Sequence, residues 1–165
     1  MIADAAIVVV ADEGLRALTH RGIDVSLGLP AGSTSYYFRT RRELLAAMVD
    51  RITDSSRAEF ADTAGDDPVE VSVRYIEQLL GERHRQLRTR HALLLDASID
   101  ETLRTRLRAC LFSVDRATDL LGDRPAAEGY VALCEGLVVA GLQEKPRGDA
   151  LRIPIVTYLR GAGKS

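Results

Sequence analysis

The stretch that decides the fold runs from residue 19 to residue 43 and reads THRGIDVSLGLPAGSTSYYFRTRRE. Thr19 is a favourable N-cap for a short helix that extends to Leu27. The sequence Gly28-Leu29-Pro30 then interrupts the helical pattern, because glycine and proline are the strongest local breakers of a helix. A further short helix is predicted over residues 31–37. Two short helices joined by a glycine-containing turn of three to four residues indicate a helix-turn-helix.

The second helix of this pair has a face that fits the major groove of DNA. On its inner side, the pair is expected to pack through apolar anchors, namely Ile23, Leu27, Leu29 and Tyr37. Small and polar groups remain for the outer side, where hydroxyls reach phosphates and base edges and small residues allow close approach. This outer set consists of Ala31, Gly32, Ser33, Ser35 and Tyr36.

An arginine cluster follows the second helix directly. Arg39, Arg41 and Arg42 belong to it, and no acidic residue lies between Ala31 and Arg42. The whole chain has a net charge of -2, so any contact with DNA requires a local basic patch of this kind. An isolated arginine cluster is ordinarily a solvated helix start. Its position behind the glycine turn and three short helices favours DNA binding instead.

The rest of the 165-residue chain also has helical patterning. Aromatic residues make up only 5% of the sequence, which favours helices over strands. We predict an all-α fold of about nine helices, with the clearest boundary at residues 64–68 (AGDDP) and Pro68 as the first residue of a helix. The helices are expected at residues 2–14, 19–27, 31–37, 41–61, 68–84, 88–99, 100–121, 125–143 and 150–159.

Several classes of protein find no support in the sequence. Cys110 and Cys134 lack metal-ligand spacing and are expected to be buried free thiols in a reducing cytosol. No apolar run approaches the ~20 residues of a membrane span, and no signal peptide precedes the first helix, which predicts a cytoplasmic protein with no membrane contact. No phosphate-binding glycine loop, metal-binding histidine motif or nucleophile elbow is present. We therefore expect no enzyme activity, no cofactor and no metal.

Residues 29–48, LPAGSTSYYFRTRRELLAAM, resemble the DNA-binding domain of the TetR family. In that family a glycine turn precedes a short recognition helix that ends in Tyr-Phe, and a basic residue begins a long fourth helix. The resemblance is closest over residues 2–50. It implies a dimeric, ligand-responsive regulator, most often a repressor. The implied domains are a helix-turn-helix domain at 1–45 and a helical ligand-binding and dimerisation domain at 46–165, joined by helix four at about 41–61.

The resemblance also implies roles for individual residues. Thr19 would meet a phosphate at the start of helix two, Tyr36 would contact DNA directly, and Arg41 would hold a phosphate at the start of helix four. Tyr37 and Phe38 are expected in the core, because aromatic residues at a helix end usually pack. The complete set predicted to contact double-stranded operator DNA is Thr19, Ala31, Gly32, Ser33, Ser35, Tyr36, Arg39 and Arg41.

Some residues depart from the pattern of the family. Asp24 stands where a small residue is commoner, and Thr34 replaces a larger apolar residue. Each is expected to loosen the helix pair by about 1 kcal/mol if it is buried without a partner. The family often has a basic arm ahead of helix one, and this chain begins almost inside that helix, which would weaken phosphate contacts. Pro154 is expected either to start the last helix late or to kink it.

The second half of the chain is where the resemblance places an effector and a dimer interface. Candidates for a small-molecule pocket are polar groups on apolar helices, although a satisfied core or surface role is the ordinary interpretation of each: Tyr75, His91, Arg116, Tyr130 and Cys134. Small residues allow close approach of helices and favour a homodimer through residues 125–160, with packing inside one chain as the alternative. They are Gly129, Ala132, Gly136 and Ala140.

Two functions remain after these considerations. The predicted one is a ligand-responsive regulator, most often a repressor, that a small molecule releases from its operator. The alternative is a helical protein-interaction or ligand-binding module in which DNA binding is weakened or lost, an interpretation favoured by Asp24 and by the missing basic arm. A gel shift against DNA upstream of the gene separates the two.

Overall fold

The computed structural model describes residues 1–61, 67–97, 99–146 and 149–162. Within these ranges the chain forms ten α-helices and one 3-10 turn, without a strand, which confirms the predicted all-α class. The elements in chain order are α1 (Ile2–Glu13), the 3-10 turn (Leu15–Ala17), α2 (His20–Ser26), α3 (Ser33–Tyr37), α4 (Arg41–Ala61), α5 (Pro68–Leu80), α6 (His84–Leu95), α7 (Glu101–Arg108), α8 (Val114–Leu121), α9 (Arg124–Gln143) and α10 (Arg152–Ala162).

The prediction of a single helix over residues 100–121 is wrong, because two helices, α7 and α8, occupy that range. The Arg90 guanidinium donates to the carbonyl oxygen of Leu107 at 2.8 Å, which supplies a partner for a carbonyl at the end of α7. Ser113 then caps α8 by accepting a hydrogen bond from the Arg116 amide at 3.3 Å. A side chain from α6 therefore helps to end α7, and this break accounts for the additional helix.

Other helix ends follow from local chemistry. α5 ends at Leu80 rather than at residue 84, and the Gly81 amide donates back to the carbonyls of Glu77 and Gln78. Pro68 begins α5 as predicted, while residues 64–66 of the predicted boundary lie outside the described residues. Pro154 stands in the first turn of α10, where its missing N–H removes no intrahelical hydrogen bond. It therefore lies at the start of the last helix, the first of the two predicted alternatives.

The chain divides into two compact units. The first unit comprises Met1–Ala58 and His84–Cys110, and the second comprises Glu59–Arg83 and Leu111–Ser165. In the first unit α6 packs along α1, where the Thr89 hydroxyl donates to the carbonyl oxygen of Ile7 at 2.8 Å. Helices α6 and α7 thus fold together with the helix-turn-helix. The predicted division at residues 45 and 46 stays a prediction.

Each unit has an apolar interior. In the first unit it is mainly aliphatic and includes Ile7, Val10, Leu18, Ile23, Leu44, Met48, Ile52, Leu87, Leu93 and Leu107. In the second unit α9 packs against α5, α8 and α10. Two glycines of α9 make room for neighbours there, since a Cβ at Gly129 would collide with the Tyr158 hydroxyl and one at Gly141 with Leu80. For these glycines, packing inside one chain is what the structure shows.

The opposite situation holds on another face of α9. Ala132, Gly136 and Ala140 are exposed there, beside Val139, which is 41% exposed. Among the described helices α9 alone is long and apolar enough to cross a membrane, so the prediction that no run approaches a span is wrong. Only 22% of its most apolar window is buried. A single such helix is weak evidence for a membrane, because a core helix of a soluble protein meets the same criterion.

Two glycine substitutions on α9 should differ in their effect on stability. Gly129→Ala forces Tyr158 to give up the hydrogen bond from its hydroxyl to the carbonyl of Ala126, so we expect the free energy of unfolding to fall by about 1–3 kcal/mol. Gly136→Ala meets no atom within 4 Å and gains helix propensity, so we expect no loss. Urea unfolding followed by circular dichroism measures both, and equal losses would contradict the assignment of Gly129.

Candidate nucleic-acid interface

The start of α2 is fixed by a side-chain cap. The Thr19 Oγ1 accepts a hydrogen bond from the Gly22 amide at 3.0 Å, as expected of an N-cap threonine. A Cβ at Gly22 would lie 2.9 Å from that oxygen and 3.4 Å from the Ala17 carbonyl. The absence of a Cβ at Gly22 therefore allows the Thr19 cap to close. Thr19 itself is exposed.

The turn after α2 spans residues 27–32 and is longer than the predicted three to four residues. Gly28 and Gly32 both adopt left-handed conformations, with φ of 63° and 92°, which residues with a Cβ rarely adopt. The Leu29 amide donates to the Asp24 carbonyl at 2.8 Å and closes the turn. Because the chain is still turning at Gly32, α3 begins at Ser33 rather than at residue 31.

A buried carboxylate holds the start of α3. Asp24 is only 3% exposed and accepts hydrogen bonds from the Gly32 amide at 2.8 Å, the Thr34 amide at 2.7 Å and the Thr34 hydroxyl at 2.6 Å. The condition under which Asp24 and Thr34 are expected to loosen the helix pair, burial without a partner, is therefore not met, because each is the partner of the other. The two departures from the family pattern together join α2 to α3.

The same hydrogen bonds determine the charge of Asp24. The Thr34 hydroxyl, then the Thr34 amide, lowers the pKa of this carboxyl below its ordinary value of 3.8, against the opposing effect of burial. Asp24 is therefore ionised throughout the neutral range. Its negative charge faces the amides at the start of a short helix, which have no acceptor within the helix and make an anion favourable there.

The outer face of α3 carries two tyrosines. Tyr36 is 80% exposed and Tyr37 is 67% exposed, and their rings meet edge to face at a centroid distance of 5.3 Å. The predicted core position of Tyr37 is wrong. Thr34, fully buried, and Phe38, half-buried, take the inward positions instead, four residues apart. Ser35 is exposed beside the tyrosines, whereas the Ser33 hydroxyl donates to the Pro30 carbonyl at 2.6 Å.

The three arginines after α3 have different partners. The Arg41 guanidinium donates to the carbonyls of Leu18 at 2.6 Å and Leu15 at 3.2 Å, and so fastens the start of α4 to the turn before α2. Arg42 forms an ion pair with Asp100 at 2.8 Å. Arg39 is exposed, and it has no hydrogen bond or ion pair in the part of the chain that the structure describes.

The residues predicted for an effector pocket are divided between the two units, and their role stays a prediction. Tyr130 and Cys134 are buried together in the second unit, where burial raises the pKa of each to about 12. The Tyr130 hydroxyl lies 2.6 Å from the Ser72 Oγ, a partner that the sequence did not single out.

The other candidates have contacts of their own. Tyr75, in the second unit, packs edge to face on Phe112 at 5.5 Å. His91 belongs to the first unit, with its Nδ1 2.9 Å from the Leu87 carbonyl oxygen, and Arg116 is exposed. Among the described residues no group of three or more metal-ligating side chains comes together.

No family model matches the sequence, and no curated protein matches it. Solved structures do. The chain is 25% identical to the multidrug binding protein EbrR complexed with imidazole, over 95% of this chain and 92% of that one, with a TM-score of 0.67. A transcriptional regulator from Rhodococcus sp. Rha1 is 24% identical over 98% and 96% of the two chains, with a TM-score of 0.81. A TetR-family member from Streptomyces coelicolor A3 is 24% identical over 95% of each, with a TM-score of 0.79.

The chain has the fold of the TetR-family transcriptional regulators. The resemblance predicted from residues 29–48 is thereby confirmed at the level of the fold. The similar structures are named as regulators or as a multidrug binding protein, and not as enzymes.

Replacing Asp24 tests the carboxylate that joins the two helices. We expect Asp24→Asn to lower the melting temperature at about pH 7, because the amide nitrogen of asparagine cannot accept the bonds that a carboxylate oxygen accepts. The lowered pKa means that this stabilisation is complete above about pH 3.8 and is lost as the pH falls through the folded-state value. Thermal melts of both proteins should therefore converge in acid.

The matched control for that experiment is Asp54→Asn. Asp54 is an exposed aspartate of α4, 3.9 Å from Arg57, and such a pair contributes little to stability. A difference between Asp24→Asn and the unmodified protein that stays constant down to low pH would contradict the proposed role of the charge.

Proposed function

We propose that this protein is a cytoplasmic transcriptional regulator that binds double-stranded operator DNA as a homodimer. In this proposal it acts as a repressor, and a small molecule releases it from the operator. The observation that carries the proposal is the outer face of α3, where Ser35, Tyr36 and Tyr37 are exposed on a helix whose start is fixed by the Asp24 carboxylate.

This face has the chemistry of a surface that reads the major groove. Hydroxyls of serine and tyrosine donate to and accept from base edges and phosphates, and the exposed Ala31 and Gly32 allow the backbone to approach. The proposed contact set remains Thr19, Ala31, Gly32, Ser33, Ser35, Tyr36, Arg39 and Arg41, to which its exposure adds Tyr37. Within this set Arg41 also has a structural part, since it binds the Leu15 and Leu18 carbonyls.

A dimer can read a longer stretch of operator DNA than one short helix can. Two copies that present α3 to successive turns of the major groove double the sequence information. The exposed stripe of Ala132, Gly136 and Ala140 on α9 suits close packing against the same stripe of a second copy. Ile153 of α10, 62% exposed, adds apolar surface within the proposed interface, residues 125–160.

The proposed effector is a small organic molecule. Support comes from the similarity to a multidrug binding protein and from the aromatic content of the second unit, where Tyr75 packs on Phe112 and Tyr130 on Tyr158. Tyr75, Arg116, Tyr130 and Cys134 of the predicted pocket residues belong to the second unit, and the proposed pocket lies within that unit. Tyr130 and Cys134 are the pair that lies together, next to Ser72.

A gel shift tests DNA binding, with fragments from the region upstream of the protein's own gene as probes. We expect a shift that weakens as salt rises, and a loss of affinity of roughly tenfold in Tyr36→Ala, because a lost base-edge contact costs about 1–3 kcal/mol. Leu95→Ala is the control, since Leu95 is an exposed residue of α6 outside the proposed face. The absence of any salt-sensitive shift would contradict the proposal and favour the protein-interaction module.

Light scattering after size exclusion tests the dimer. Gly136→Glu introduces a carboxylate into the proposed interface without a clash inside the chain, because nothing lies within 4 Å of a Cβ there. We expect a shift from dimer to monomer and a parallel loss of operator affinity, since burying an unpaired charge is strongly unfavourable. Leu120→Glu, on the exposed side of α8, should leave the dimer intact. A dimer unaffected by Gly136→Glu would rule out this interface.

A further inference from the structure

Apart from Arg41 and Arg90, which donate to backbone carbonyls, the arginines of the first unit fall into two groups. Members of the first group pair with carboxylates: Arg42 with Asp100, Arg51 with Asp4, Arg57 with Asp54, Arg85 with Asp12, Arg106 with Asp50, and Arg104 and Arg108 together with Glu101. Members of the second group are exposed and form neither a hydrogen bond nor an ion pair with any residue that the structure describes. Arg16, Arg21 and Arg39 belong to it, along with Arg88 on α6.

Three members of the second group belong to the segments that frame the helix-turn-helix. Arg16 lies in the 3-10 turn before α2, and Arg21 lies in the first turn of α2, so they flank the cap residue Thr19. The two hydrogen bonds of Arg41 to the carbonyls of Leu15 and Leu18 hold the start of α4 against that same 3-10 turn. Arg39 precedes Arg41 by two residues. Contacts in the folded chain thus connect the backbone segments that carry Arg16 and Arg39.

An open depression of about 550 Å³ adjoins Arg21 and the cap residue Thr19. Thr19 and Arg21 line it together with Val25, which is 74% exposed, and Val9 of α1. One carboxylate, that of Glu13, also lines it. An anion in this depression would meet the guanidinium and the threonine hydroxyl, and it would be repelled by Glu13.

We infer that Arg16 and Arg21 bind backbone phosphates of duplex DNA and, with Arg39, form a phosphate-binding surface that frames the recognition helix. A guanidinium group matches the geometry of a phosphodiester, and these guanidinium groups form no ion pair with a carboxylate of the described residues. Phosphate contacts of this kind set the register of the protein on DNA without reading its sequence. The inference rests on the proposed DNA binding and adds two residues that the sequence pattern did not identify.

Salt dependence is the measurement that separates phosphate contacts from a general effect on the fold. The slope of log affinity against log salt changes by about 0.9 for each phosphate neutralised on duplex DNA, hence by about 1.8 for a dimer that loses one contact in each copy. Fluorescence anisotropy of the full chain would use two probes, a random-sequence duplex and a fragment from upstream of the gene. We expect Arg16→Ala and Arg21→Ala to reduce the slope by these amounts on both probes.

Two other arginine-to-alanine variants serve as controls. Arg51→Ala removes an arginine paired with Asp4 at 2.6 Å, and Arg88→Ala removes an exposed, unpaired arginine of α6. We expect neither to change the slope. Glu13→Gln should raise the affinity for both probes, since it removes the carboxylate that lines the depression.

The outcomes distinguish this inference from the proposed function. Salt-dependent binding by the unmodified protein, with slopes unchanged in both Arg16→Ala and Arg21→Ala, would overturn the phosphate-binding surface and leave the proposed function standing. An equal reduction in Arg88→Ala would overturn it too, because any exposed arginine would then suffice. No salt-dependent binding by the unmodified protein would overturn both. Circular dichroism spectra of the variants verify that each is folded.

Discussion

The hydrogen bonds of the Asp24 carboxylate are the constraint on which the proposed DNA-reading surface depends. α3 has five residues, and a helix of that length does not form in water without tertiary support. Its start follows a glycine in the left-handed region, so the orientation of the helix comes from the carboxylate that accepts from Gly32 and Thr34. Because Asp24 lies on α2, the same bonds fix the two helices to each other, and the exposure of Tyr36 and Tyr37 follows from that geometry.

Local patterns were sufficient to predict the elements whose causes are local. Apolar spacing indicated α1, α4 and α9, the Thr19 cap marked the start of α2, and Pro68 marked the start of α5. The pairing of Asp24 with Thr34 could not be predicted in this way, because residue preferences judge each position by itself and the two residues meet across a turn. Both had been singled out as departures from the family pattern. Two polar residues that both depart from the family pattern on facing helices indicate that their hydrogen-bonding groups satisfy each other.

Contacts between distant segments account for the remaining differences. Arg90 of α6 binds the last carbonyls of α7 and so helps to divide a segment that reads as one helix. The arginine cluster after α3 looks uniform in the sequence, yet Arg41 binds carbonyls near residue 15 and Arg42 pairs with Asp100. Which arginine remains available for DNA is therefore decided by partners elsewhere in the chain. The candidate site could be located from the sequence, but the state of its charges could not.

This distribution of charge resolves the apparent conflict between a net charge of -2 and the proposed binding to a polyanion. Exposed ion pairs such as Arg51–Asp4 and Arg85–Asp12 contribute little to stability individually. Their effect on the electrostatic field is larger, because the opposite charges of a pair largely cancel at distances beyond their separation, within the Debye length of about 8–10 Å over which an unpaired arginine still acts. Carboxylates that are already paired in this way do not offset the positive charge of Arg16, Arg21 or Arg39. A chain that is acidic overall can therefore present a local cationic surface, and in the proposed complex the unpaired arginines contribute more to the field at the DNA than the total charge does.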